Sequence, residues 1–242
     1  MAFALTIVQI EEALKQPGCA ICSLSVNAVR KSADGFLYEN ALNPLVREPI
    51  LKARGFCPEH TRLLAAIELS SDGSTLGINQ IYGQLACAVA DELAAAVKPR
   101  RITALPAWLK TGHKSNPLPP CPLCKLGEES AVNYLSALFE ELELENSATR
   151  AIYSQSDGLC YAHLRSGIHS YASSYPDATQ FLVEHTGRQL TELSAQMQEY
   201  IRKHDWHYRE EKITPEESGA WKRVLSFFTG LPADEFTHKF EK

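Results

Sequence analysis

The sequence lacks an excess of basic charge and any strongly basic face. Its 24 Lys and Arg are set against 29 Asp and Glu, for a formal net charge of -5. That leaves no general positive field for a phosphate backbone. The one basic cluster, Lys98-Pro-Arg100-Arg101, falls in an apparent linker, so nucleic acid is disfavoured as a partner. Long apolar runs are missing too. The most apolar stretch, Leu85 to Val97, is short and carries Asp91 and Glu92, which argues against a membrane span. The first residues have no basic segment, contain Glu11 and Glu12, and space Phe3, Ile7, Ile10 and Leu14 at helical intervals. They read as an amphipathic helix rather than a secretory signal. The expectation is a cytoplasmic protein without a membrane anchor. Strand-like alternation is nearly absent. So are a nucleophile elbow, a Gly-rich phosphate loop and a dinucleotide fingerprint, and no reaction is specified.

What is present is a cysteine pattern that occurs twice. Cys19-Ala-Ile-Cys22 is followed after thirty-four residues by Cys57-Pro-Glu-His60, and Cys121-Pro-Leu-Cys124 after thirty-five by Cys160-Tyr-Ala-His163. Six of the seven cysteines are thereby used. In a reducing compartment paired CxxC groups serve as metal ligands or redox dithiols rather than as disulfides. Three thiols and one imidazole form the ligand set of a closed tetrahedral zinc site. The copies suggest two such sites, Cys19, Cys22, Cys57, His60 and Cys121, Cys124, Cys160, His163, holding two zinc ions, with an iron-sulfur cluster as the alternative cofactor. Ligation by protein alone leaves no open position for water, which points to a structural role. Gly55 and Gly158 let the chain turn just before each returning thiol. A thioredoxin-like dithiol would need a βαβ setting that the helical pattern does not provide.

The duplication extends past the ligands. With one residue added in the second copy, Asn43 pairs with Asn146, Arg47 with Arg150, Gly55 with Gly158 and Arg62 with Arg165. Periodicity predicts an all-α protein of two duplicated helical units in a pseudo-twofold arrangement, each clipped by a CxxC…CxxH metal site. The expected division is 1–98 for the first repeat, 99–113 for a Pro-rich linker, 114–210 for the second repeat and 211–242 for a C-terminal helix and tail. In the linker Trp108, flanked by Leu105 and Leu109, would pin the segment to a core. Thr214-Pro-Glu-Glu217 has the pattern of a helix start, and Trp221, Val224, Leu225 and Phe228 form an expected buried stripe.

Outside the metal motifs three features compete with duller readings. Cys87, among apolar neighbours, reads as a small core residue, and His113 as a solvated linker histidine. At the end of the longest helix, Lys203-His-Asp-Trp-His-Tyr-Arg209 brings cations, an acid and aromatics together. His204 beside Asp205 could form an oriented base, and Lys203 with Arg209 could hold an anion. Cations in a last helical turn are also what the helix dipole favours, and an aromatic anchor with flanking charges suits an interaction surface.

Together these motifs resemble a known family. CPLCxL followed by a helix, GFCxxH at Gly55 to His60, its counterpart Gly158-Leu-Cys-Tyr-Ala-His163, the run Arg202 to Asp205 and the stretch Gly219 to Gly230 are similar to an uncharacterised bacterial domain-of-unknown-function family. Trp206-His207 interrupts a run that tends to be shorter in relatives. The resemblance implies a bacterial cytosolic protein and carries no catalytic residue onto these positions. The resulting expectation is a zinc-stabilised helical binding or adaptor protein with a protein partner. The alternative is an iron-sulfur or other metal-dependent redox protein or enzyme using His204 and Asp205.

Overall fold

Side-chain caps open several of the helices in the computed structural model of the protein, which describes residues 2–40, 43–71, 75–97 and 118–237. Among those residues there are ten α-helices and no strand: α1 (Ala2–Leu14), α2 (Ala20–Gly35), α3 (Pro44–Lys52), α4 (Pro58–Ser71), α5 (Leu76–Val97), α6 (Pro122–Glu143), α7 (Ala148–Ser154), α8 (Tyr161–Tyr171), α9 (Pro176–Lys203) and α10 (Pro215–Thr229). The all-α expectation holds. Asn43 caps α3 by accepting from Leu45 N, and Ser147 caps α7 through Thr149 N. Thr214 and Glu217 form a reciprocal capping box at the start of α10, whose end is closed by Gly230 in the left-handed conformation. No helix among the described residues is long and apolar enough to cross a membrane.

The chain divides into two compact units, and the boundaries fall inside helices α2 and α6 rather than in a loop. One unit is Met1–Val26 with Glu129–Lys242, the other Asn27–Glu128. These units do not coincide with the sequence copies: the first takes the opening CxxC of one copy and the CxxH of the other.

In the first unit Ile10, Leu14 and Ile21 pack with Leu138, Phe139, Leu142, Tyr153, Leu159 and Leu182 in one buried cluster. Gly167 permits the close approach of α8 to α6, since a Cβ there would stand 2.5 Å from the Phe139 ring. Thr149 donates to Glu11 at 2.8 Å, tying α7 to α1. In the second unit Val29, Ala33, Phe36, Leu37, Ile50, Leu64, Ile81 and Leu85 form the core. The buried Glu68 carboxylate accepts from Gly77 N at 2.6 Å and Ile78 N at 3.2 Å, satisfying amides at the start of α5.

Two expectations about packing are corrected. Trp221, Leu225 and Phe228 are 40%, 38% and 57% exposed. The seated face of α10 is instead Ala220, Val224 and Phe227, which has the same i, i+4, i+7 spacing one residue earlier, about 100° round the helix. Cys87 is exposed on α5 rather than buried. The linker with Trp108 and His113 lies outside the described residues.

Candidate metal centres

Each of the four short motifs begins a helix. The backbone oxygens of Cys19, Cys57, Cys121 and Cys160 accept from Ser23 N, Thr61 N, Lys125 N and Leu164 N. Each therefore stands at the first helical hydrogen bond, and the ligand three residues later lies on the same face. Cys160 makes no side-chain cap bond of its own, so its sulfur is left for the cluster. The positive end of a helix also favours the thiolate form.

The glycine turns work as the sequence suggested. Gly55 and Gly158 have φ of 104° and 73°, in the region that favours glycine. The amide after each glycine is taken by a tyrosine hydroxyl: Leu159 N donates to Tyr153 Oη at 3.0 Å, and Phe56 N to Tyr82 Oη at 3.3 Å. The two tyrosines are unrelated in position, one on α7 and one on α5, and sequence reading missed both.

The structure assembles the eight predicted ligands in two groups: Cys19, Cys22, Cys160 and His163 in the first unit, and Cys57, His60, Cys121 and Cys124 in the second. The grouping within each copy is thus corrected, and each CxxC meets the CxxH of the other copy. Helix length gives the reason. The 16 residues of α2 and 22 of α6 rise about 24 Å and 33 Å, carrying each chain away from its own CxxC before the return motif is reached.

Within each group the ligand atoms lie within 4.8 Å of one another. His163 Nδ1 is 3.5 Å, 3.3 Å and 3.3 Å from the sulfurs of Cys19, Cys22 and Cys160. His60 Nδ1 is 3.2 Å, 3.5 Å and 3.4 Å from those of Cys57, Cys121 and Cys124. The Cys22 and Cys160 sulfurs are 3.8 Å apart, and those of Cys57 and Cys124 3.7 Å. A tetrahedral ion with metal–sulfur distances of about 2.3 Å requires sulfur–sulfur edges of about 3.8 Å and sulfur–nitrogen edges of about 3.5 Å. Both groups fit one ion each.

Their electrostatics also favour a cation. Hydrogen bonds from Cys19 and Cys22 hold the Cys160 thiol far below its ordinary value, whereas the bond to Cys160 pushes Cys22 far up. Burial opposes charge on His163, but the thiols of Cys160 and Cys19 outweigh it and raise the imidazole to about 10. In the second group burial and then Cys57 push Cys124 up to about 12, while Cys57 is lowered because contacts from His60 and the neighbouring thiols outweigh burial. In each group one thiol is lowered while a neighbouring one is raised, so ionising all three together is disfavoured. A bound cation would let all three ionise.

The helix-end cluster does not form the dyad that its order suggested. His204 Nδ1 pairs with Tyr200 O at 2.7 Å, whereas Asp205 accepts from His207 N and pairs with His207 Nδ1 at 3.0 Å and 2.8 Å. Lys203 reaches Glu217 at 2.6 Å and 2.9 Å and Lys212 O at 3.1 Å, joining α9 to α10. Arg209 pairs with Glu210 at the surface.

Residues 1–234 match the model of a family described as a family of unknown function, DUF6062. The chain is also 24% identical, over 90% of its length and 98% of the relative's, to an uncharacterized 23.9 kDa protein from the xynA 3' region of Caldicellulosiruptor sp. (strain Rt8B.4). No solved structure matches.

Proposed function

The chain belongs to this family of unknown function, and we propose that it is a cytoplasmic, zinc-stapled helical protein that binds a protein partner. The observation that carries the metal half is the pair of complete donor sets, each with three sulfurs and one Nδ1 at single-ion spacing. Zinc is the ion that such mixed thiolate and imidazole sets commonly hold, and a closed site contributes folding free energy rather than a reactive water. An iron-sulfur cluster would replace the single ion with several atoms and needs more room than ligand atoms within 4.8 Å provide. The internal duplication supports a staple role, because the same sequence device closes each unit.

The binding half rests on α10, whose Trp221, Leu225 and Phe228 share an exposed face, with Tyr161 against Phe228 at a ring distance of 5.8 Å. Aromatic and large apolar side chains exposed together suit an interface.

The test is elemental analysis of protein purified without added metal. Two zinc ions per chain in a colourless sample support the reading. A brown sample with stoichiometric iron and sulfide, or one free of metal, overturns it. For the binding half, Phe228→Ser should keep the zinc content and melting temperature while abolishing cross-linking to a partner in the native host. Unchanged cross-linking would remove that half.

A further inference from the structure

The two clusters are built from the same ligands but are covered differently. In the first, Cys19 and Cys160 are 4% and 3% exposed, and Cys22 and His163 are partly buried. In the second, all four ligands are only partly buried.

The cover over the first cluster is the C-terminal turn after α10. Gly230 accepts the Cys19 amide at 3.3 Å. A Cβ on Gly230 would stand 2.5 Å from the Cys22 sulfur and 3.5 Å from the Cys160 sulfur. Gly230 is thus backbone laid directly on two ligand atoms. The turn is held in turn by Ser226, which donates to Leu231 O at 2.6 Å. Pro232 lies against Gly18, where an added Cβ would meet the proline nitrogen at 3.1 Å, and Gly18 N donates to Asp157 at 2.7 Å. The approach to the second cluster is different in kind: residues 118–120, which lead into Cys121, are exposed.

Metal exchange at a tetrahedral site needs an incoming ligand to reach the ion, or one protein ligand to leave and be captured before it returns. The shell around the site controls both steps. At the first cluster the Gly230 turn stands against the sulfurs of Cys22 and Cys160 and hinders both steps. At the second, none of the four ligand residues is fully buried.

We infer that the Cys57, His60, Cys121 and Cys124 cluster is an exchangeable site, where a borderline-soft divalent ion enters and leaves with supply. The Cys19, Cys22, Cys160 and His163 cluster is a permanent staple. This inference rests on the zinc reading above and assigns the two sites different roles within it.

The test uses the full chain as purified, challenged with a chromophoric chelator while iodoacetamide labels each cysteine that becomes free, read by mass spectrometry. The exposed Cys87 labels at once and serves as an internal standard. One equivalent of zinc should leave at least about tenfold faster than the other, with Cys57, Cys121 and Cys124 labelled in the fast phase. Cys19, Cys22 and Cys160 should be labelled only in the slow one. Added cobalt(II) should in the same way enter one site first and give the visible bands of a tetrahedral thiolate complex. A two-zinc protein that releases both ions in a single phase, or labels the first cluster first, overturns the exchange inference and leaves the zinc reading standing. A protein without metal overturns the zinc reading itself, and the inference with it.

Discussion

Gly230 lies against the sulfur of Cys22, so close that a Cβ at residue 230 would stand 2.5 Å from it. Helix α10 therefore ends on a candidate metal ligand carried by α2. Gly230 also has a φ of 80°, which a larger residue adopts at a cost on the order of 1–3 kcal/mol. Gly230→Ala should lower the melting temperature and speed zinc loss from the first cluster alone. Melting curves and metal release on the purified variant check both. An unchanged melting temperature would contradict the placement of this turn.

The Glu217 carboxylate joins two structures, the α10 capping box and the ion pair with Lys203. Lys203 first, and then the Thr214 amide, hold its carboxyl below the ordinary carboxylate value. Its contribution to stability is therefore fully present above that ordinary value and is lost as pH falls through the depressed folded value. In melting experiments against pH, Glu217→Gln should be less stable than wild type at neutral pH. The gap should close as the medium becomes more acidic than the usual carboxylate range.

His185 is 5% exposed, and neither ring nitrogen has a hydrogen-bond partner. It packs between Tyr153 and Phe181, at ring distances of 5.5 Å and 6.0 Å. Burial and then the Arg188 charge lower its pKa, so the unfolded chain takes up the proton first as pH falls below about 6.5. Wild-type stability should decline over that range down to the depressed folded value. His185→Leu should remove that component and raise stability at neutral pH by about 1 kcal/mol. Denaturant midpoints at several pH values provide the check.

Tyr153 is fully buried, and its hydroxyl accepts the Leu159 amide at 3.0 Å. Tyr153→Phe leaves that amide without an acceptor and should cost about 1–3 kcal/mol. Because Leu159 precedes Cys160, zinc should also be held less tightly in the first cluster. Tyr82→Phe, at a half-buried position, should cost less. Parallel chemical denaturation and metal titration of the two variants test the ordering.

Much of the helical order was legible because its signals are local. Pro176, the Thr214 and Glu217 pair, and the apolar spacing of α5 each declare a helix without reference to the rest of the chain. The eight Cys and His of the two candidate clusters were legible too, since two CxxC pairs each answered by CxxH mark out one donor set twice. Their grouping was not. Both CxxH motifs offer the same two donor residues at nearly the same spacing from their own CxxC, so the choice depends on where α2 and α6 deliver the chain. The face of α10 was ambiguous for a related reason, because positions 220, 224 and 227 and positions 221, 225 and 228 both carry apolar side chains at helical spacing. Gly230 gave a helix stop but no hint of the sulfur beside it. Lys203 gave a charge at a helix end but no hint that it would pair with Glu217.

The crossed grouping of ligands is the central claim, and a double substitution separates it from a grouping within copies. Cys57 and Cys121 belong to different sequence copies but to one cluster. Zinc content should be measured on Cys57→Ser/Cys121→Ser, purified without added metal, beside the wild type. Crossed grouping predicts that one zinc ion per chain remains, held by Cys19, Cys22, Cys160 and His163. Loss of both ions, with the protein still helical by circular dichroism, would mean that each substitution had broken a separate site and would contradict the account.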